Sequence, residues 1–128
     1  MLGIVLVSHG KLAKEMLKSA EMIVGPQENI VTLALEANDD PMNLKETIKK
    51  SVKEVKGKEG AIILVDLMGG SPSNASAYVA KEGIPVITGM NLSILLELIG
   101  MRYSLVDEVV EHIIQIGKEG IIDIRKIF

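Results

Sequence analysis

The stretch Leu2-Gly3-Ile4-Val5-Leu6-Val7-Ser8-His9-Gly10 decides the fold. Its apolar run is too short for a typical helix and rich in branched side chains, as a strand buried on both faces should be. An amphipathic stretch begins directly afterwards at Lys11, so His9 falls at a strand-to-helix junction, where α/β proteins do their chemistry. The same arrangement returns at Ala61-Ile62-Ile63-Leu64-Val65-Asp66, a second apolar run that ends in a carboxylate and passes into Gly69-Gly70-Ser71-Pro72. Two strand ends, one carrying a histidine and the other an aspartate, can meet.

Apolar runs at 30–35 and 84–87 read as two more strands, with helical patterns between the runs. Over 11–24, Leu12, Ala13, Met16, Leu17, Ala20, Ile23 and Val24 fall on one side, and Gly25-Pro26 stops the helix. Asp40 as N-cap and Pro41 in the first turn open a second helix with a stripe of Leu44, Ile48, Val52 and Val55, and its many lysines read as a solvated face. A third is expected from Ser71 as cap with Pro72 at the first helical position, running to about Lys81. A fourth starts at Asn91, and a fifth runs from Ser104 to about Gly117. Residues 121–128 alternate apolar and polar from Asp123 onward, as an edge strand with one wetter face does.

This alternation predicts a single domain over 1–128 of the α/β class: a doubly wound open sheet of mainly parallel strands, flavodoxin-like, because parallel neighbours require right-handed crossovers. Strand order 2-1-3-4 is the expectation of that fold class, and it would place His9 and Asp66 on either side of a crevice at the strands' carboxyl ends.

Composition narrows the function. The 128 residues carry a formal charge of −3 with both signs interspersed, and without a basic stripe nucleic acid is excluded as a partner. The absence of cysteine excludes disulfides and thiolate metal sites and suits a reducing compartment. No apolar run approaches the ~18 residues of a membrane span, and the N-terminal run lacks a basic lead and a cleavage site. The expectation is a cytoplasmic protein with no direct membrane insertion.

A carboxylate that accepts the Nδ1 proton of an imidazole leaves the Nε2 lone pair pointing outward and stabilises the positive charge that grows on the ring during attack. The Gly69-Gly70-Ser71 turn adds backbone N–H groups, a hydroxyl and the positive end of a helix dipole, together a fit for a phosphoryl group. The residues thus supply a nucleophile in His9, an orienter in Asp66 and an anion cradle. Each has a plainer reading: His9 alone reads as an ordinary hydrogen-bonded residue, Asp66 as a cap and Gly69-Gly70 as a tight turn. Their joint placement at two strand ends favours the chemical one. His112 falls with Asp107, Glu108, Glu111 and Gln115 on the polar side of its helix and reads as solvated.

Val5-Leu6-Val7-Ser8-His9-Gly10, Val65-Asp66-Leu67-Met68-Gly69-Gly70-Ser71-Pro72-Ser73-Asn74-Ala75, Thr88-Gly89-Met90-Asn91-Leu92 and Gly117-Lys118-Glu119-Gly120 closely resemble the mannose-family enzyme IIA domain of the bacterial phosphoenolpyruvate:sugar phosphotransferase system. The D-x-x-G-G-S-P segment is the specific part. The resemblance implies that His9 is phosphorylated on Nε2 by the phosphocarrier HPr and passes the group to a histidine of the cognate enzyme IIB. It implies that Asp66 orients His9 and that Leu67 and Ser71 lie at the phosphoryl site, which gives a candidate phosphoryl-binding set of Gly10, Leu67, Met68, Gly69, Gly70 and Ser71. No cofactor and no metal ion is called for.

The resembled family is dimeric and exchanges a C-terminal strand, so residues 121–128 are expected as an antiparallel edge strand swapped within a homodimer. No fused enzyme IIB segment is expected after Phe128, and the remaining components of the system are expected as separate chains. On the first helix Met22 falls on the solvent side near Lys18 and Glu15. A flexible thioether there is expected as a contact for HPr, because a relay must dock two partners in turn. The competing readings are the phosphotransfer subunit of dihydroxyacetone kinases, whose motif lacks the G-G-S-P turn, and a small metal chelatase, which needs further ligands than a lone His9. A non-catalytic ligand-binding or regulatory domain of the same shape is the third.

Overall fold

The computed structural model describes residues 1–128. Strand β1 (Gly3–His9) lies between β2 (Ile30–Leu35) and β3 (Ala61–Val65), and β4 (Val86–Ile87) closes the far side, giving the all-parallel order β2-β1-β3-β4. This is the order expected from the fold class. The two-residue period of a strand explains how β1 holds two layers at once. Ile4 and Leu6 point into a cluster with helices α1 (Leu12–Val24), α4 (Leu92–Ile99) and α5 (Val106–Glu119), whereas Val5 and Val7 point the other way into a cluster with α2 (Pro41–Val55) and α3 (Ser71–Ala80). Ile62 and Leu64 of β3 join the first cluster, and Ile63 and Val65 the second. A strand covered on both faces must be apolar throughout, which is why these two runs have no polar break.

The helix ends show which sequence signals act. Asp40 caps α2 by accepting from the Met42 N–H at 3.0 Å, and Asn91 caps α4 by accepting from the Ile94 N–H at 2.9 Å. At α3 the expected boundary moves by one residue. Gly70 is the N-cap, its carbonyl accepting from the Asn74 N–H at 2.9 Å, so Ser71 opens the helix and its hydroxyl caps nothing. At α5 the expected start at Ser104 moves to Val106, because the Val106 N–H is satisfied by the Glu59 carbonyl at 3.0 Å and needs no side-chain cap. Along α1 the expected apolar side is buried at Ala13 and Ala20 and partly at Met16 and Leu17, while Leu12, Ile23 and Val24 at the helix ends are exposed.

The expected C-terminal strand is not a strand in the single chain. Residues Ile124–Lys126 form a 3₁₀ turn in which the Asp123 carboxylate accepts from the Arg125 N–H and guanidinium. A strand needs a neighbour to satisfy its backbone groups, and within one chain no strand pairs with this segment, so a local turn takes those hydrogen bonds instead. At the opposite end of the sheet from His9, buried Arg102 ties three segments together, donating to the carbonyls of Leu2 at 2.8 Å, Glu28 at 2.7 Å and Asn29 at 3.2 Å. No helix is long and apolar enough to cross a membrane.

Candidate phosphoryl-transfer site

The winding of the chain reverses between β1 and β3, and the last residue of β1 and the first residue after β3 meet there. The Asp66 carboxylate is 6% exposed and the His9 ring 49% exposed, so a fixed acceptor lies beneath an accessible imidazole. His9 Nδ1 is 2.7 Å from Asp66 Oδ2, and the His9 backbone N–H donates to that same oxygen at 2.9 Å. The other oxygen, Oδ1, accepts from the Leu67 N–H at 2.9 Å. Burial pushes the Asp66 carboxyl up, but the hydrogen bonds from His9 and Leu67 and the imidazole beside it outweigh this and hold it below the usual carboxylate range. An ionised carboxylate only accepts, so Nδ1 carries the ring proton and Nε2 presents its lone pair.

The β1-to-α1 turn is held from below by Ser8, a role its sequence context did not disclose. Ser8 is fully buried, and its Oγ accepts from the Ala13 N–H at 2.9 Å while donating to the Gly10 carbonyl at 3.3 Å. The hydroxyl supplies the first turn of α1 with the capping acceptor that Lys11 does not provide.

The glycine turn forms the other wall. Gly69 has φ of +92°, a left-handed conformation that side chains disfavour. A Cβ at Gly70 would lie 2.8 Å from His9 Cε1 and 3.4 Å from Nε2, so the absence of a side chain is what lets the turn press against the ring. Ser71 begins α3 with its hydroxyl free of capping duty, and it lines the same groove as His9. That groove has a volume of about 540 Å³, and Gly10, Leu35, Glu36, Ala37, Asp39 and Pro41 complete its lining. Leu67 and Met68 are exposed on the approach. The crevice thus gathers His9, Asp66, Gly10, Gly70 and Ser71, and the acidic Glu36 and Asp39, which no motif announced, also line the groove. No three histidine, aspartate or glutamate side chains converge to hold a metal ion.

Two residues singled out from the sequence lie elsewhere. Met22 is exposed as expected, but ten residues of helix separate it from Leu12, about 15 Å along the axis, so it stands at the end of α1 remote from His9 and does not line the crevice. His112 is half exposed as expected, yet it is also paired, with Nε2 2.6 Å from Glu97 Oε1 on the neighbouring helix.

Comparison with known proteins gives one consistent picture. A family model described as the PTS system fructose IIA component, of the mannose-type IIA family, matches residues 3–114. The chain is 33% identical over 124 residues to the PTS system mannose-specific EIIAB component of Escherichia coli (strain K12), a match covering 94% of this chain and 38% of that protein, so it spans well under half of that relative's length. It is 31% identical over 122 residues to the PTS system sorbose-specific EIIA component of Klebsiella pneumoniae, covering 93% of this chain and 89% of that one. Among solved structures, it resembles the phosphotransferase system component EIIA from Streptococcus agalactiae with a TM-score of 0.90 and 32% identity, over 98% of this chain and 99% of the other.

Proposed function

Because the chain belongs to the family of IIA components of the sugar phosphotransferase system, we propose that it is a phosphoryl carrier that takes the group from phosphorylated HPr onto His9 Nε2 and hands it to a histidine of an enzyme IIB in the cytoplasm. The observation that carries this reading is the 2.7 Å contact between His9 Nδ1 and Asp66 Oδ2 beneath a groove that leaves Nε2 accessible. In the forward step the Nε2 lone pair attacks phosphorus, the bond from phosphorus to the donor's imidazole nitrogen breaks, and its electron pair returns to the donor. His9 keeps its Nδ1 proton, so the phosphorylated ring is cationic and Asp66 offsets that charge. The phosphoryl oxygens face Gly10, the Leu67-to-Ser71 turn and the positive end of α3, which stabilise anionic oxygens without forming a covalent bond. Transfer onward is the same displacement with an enzyme IIB histidine as nucleophile.

The C-terminal segment supports a homodimer. Ile121, Ile122, Ile124, Ile127 and Phe128 are all exposed, and the two residues of β4 leave the outer edge of the sheet open. Residues 121–128 of one copy laid antiparallel along β4 of the other would bury these side chains and close that edge. Sedimentation at micromolar concentration is expected to give a dimer, and truncation after Gly120 to lower the dimer fraction and the thermal midpoint together; a full-length monomer overturns the arrangement.

Incubation of the purified chain with ³²P-labelled phospho-HPr tests the carrier role. The expected product is a label stable to base and labile to acid, discharged when an enzyme IIB is added. A chain that takes no label from phospho-HPr is not this carrier.

A further inference from the structure

The His9 groove suits a phosphoryl group and yet has no cationic wall. None of its lining residues is a lysine or an arginine, and two of them, Glu36 and Asp39, are carboxylates. Neither carboxylate forms an ion pair. A site that stores an anion sets arginine or lysine against it, whereas this one combines neutral donors with like charge.

The fold keeps both acidic residues near the ring. His9 and Leu35 are partners in the parallel register of β1 and β2, and neighbouring strands lie about 4.8 Å apart, so Glu36 follows at roughly 6 Å from His9 between Cα atoms. Asp39 is tied to Glu36 in both directions. Its carboxylate Oδ2 accepts from the Glu36 N–H at 2.8 Å, and its own N–H donates to the Glu36 carbonyl at 3.1 Å. Asp40, the next acidic residue, is committed elsewhere, capping α2 through the Met42 N–H.

Phosphorylation changes the charge in this groove. The ring gains one positive charge and the phosphoryl group brings about two negative ones near neutral pH, so net negative charge enters beside Glu36 and Asp39. That repulsion exists in the phosphorylated state and not in the free one. We infer that Glu36 and Asp39 set the phosphoryl-transfer potential of His9: their charge makes the group easier to give away than the same cradle would with neutral walls. The inference rests on the phosphoryl-carrier reading. When the bond from Nε2 to phosphorus breaks, its electron pair returns to the ring and the phosphoryl group bonds to the acceptor's imidazole nitrogen. The groove then loses the charge that its walls oppose. Neither carboxylate makes or breaks a bond in this step, and both act through their field alone.

The test is the equilibrium partition of ³²P between the full chain and purified HPr, because contacts made only in the encounter change the rate of exchange and not the equilibrium between the free proteins. Glu36→Gln/Asp39→Asn removes both charges and keeps an oxygen at position 39 to accept the backbone N–H of position 36. Glu36→Gln alone leaves that tie untouched, since it uses only the backbone of Glu36. At about 0.01 M salt the double variant is expected to hold roughly threefold to tenfold more phospho-His9, relative to phospho-HPr, than the parent chain does, and the single variant a smaller excess. At about 1 M salt, where the Debye length is about 3 Å, both excesses should fall below about twofold. A parent-like partition at low salt in the folded double variant overturns the inference, as it does in Glu36→Gln where the double variant does not fold. An excess that salt leaves intact overturns it as well. A parent chain that takes no label from phospho-HPr overturns the carrier reading instead, so the two failures are distinguishable.

Discussion

His9 and His112 each hold a carboxylate at hydrogen-bond distance, 2.7 Å to Asp66 and 2.6 Å to Glu97. The distances barely differ, and the surroundings differ in every respect that matters for chemistry. Asp66 is buried and receives backbone N–H groups on both oxygens, so it cannot move to follow the ring. Glu97 is 39% exposed and its partner ring 46% exposed, on two helices that pack against one face of the sheet. One pair has a glycine turn and a helix start facing the free nitrogen, and the other has solvent. An imidazole–carboxylate pair becomes a candidate site through what fixes the carboxylate and what faces the open nitrogen.

The strongest way to break this comparison is to remove each histidine. His9→Ala should abolish labelling by phospho-HPr altogether, and His112→Ala should label as the parent chain does. Autoradiography of the two variants side by side decides it, since label retained without His9 would place the acceptor elsewhere.

Removing the charge beneath the ring comes next. Asp66→Asn keeps the shape of the side chain but can present its amide to Nδ1, which allows the wrong tautomer and leaves the cationic phospho-ring without a counter-charge. Transfer measured by rapid quench should slow, by up to about 10⁴-fold if the pair behaves as in hydrolase triads. The matching change Glu97→Gln should leave the rate alone. An Asp66→Asn protein that transfers at the parent rate would reduce Asp66 to a structural acceptor.

A third variant probes the turn. At Gly70 an added methyl group meets His9 Cε1 at 2.8 Å, so Gly70→Ala must push the ring or the turn aside. Misplacement on the order of 1 Å can cost about 10²-fold in rate. The expected signature is slower transfer together with shifted His9 ring resonances in NMR, the His112 resonances staying in place. Parent-like rate and resonances would show that the turn yields freely and does not set the position of the ring.

How much of this could be read beforehand depended on where the partners of each group lie. The strands β1 and β3 were legible because burial on both faces leaves no polar residue to confuse the pattern. Asp40-Pro41 and Asn91 were legible because a cap acts within three residues. Ser104 misled because the N–H that starts α5 is satisfied by Glu59, far away in sequence. The last parallel strand was expected at 84–87 and is shorter, since Pro85 has a carbonyl for the Ile63 N–H but no N–H of its own to extend the ladder.

The tail reads as a strand by its alternation, and such a pattern carries no information on which chain supplies the neighbour. In the site, His9, Asp66 and the glycine turn stood out as a motif. Ser8, Glu36 and Asp39 did not, because their roles arise when separate elements pack together. The pairing of His112 with Glu97 was hidden for the same reason.

The smallest expected effect is on stability, and it separates the two carboxylates once more. The net of burial and hydrogen bonding leaves the folded Asp66 carboxyl below its ordinary value of 3.8. A group whose pKa is lowered by folding adds stability above the unfolded value and loses it as the pH falls through the folded one. The parent chain should therefore lose, between about pH 4 and the acid limit, a contribution that Asp66→Asn never had. Urea titrations of both proteins are expected to show a stability gap that narrows in acid. Glu97→Gln, which removes an exposed pair, should change stability at neutral pH by no more than about 1 kcal/mol. A gap for Asp66→Asn that stays constant through this acid range would mean that folding does not favour the ionised carboxylate, and the Nδ1 proton of His9 would have no fixed acceptor.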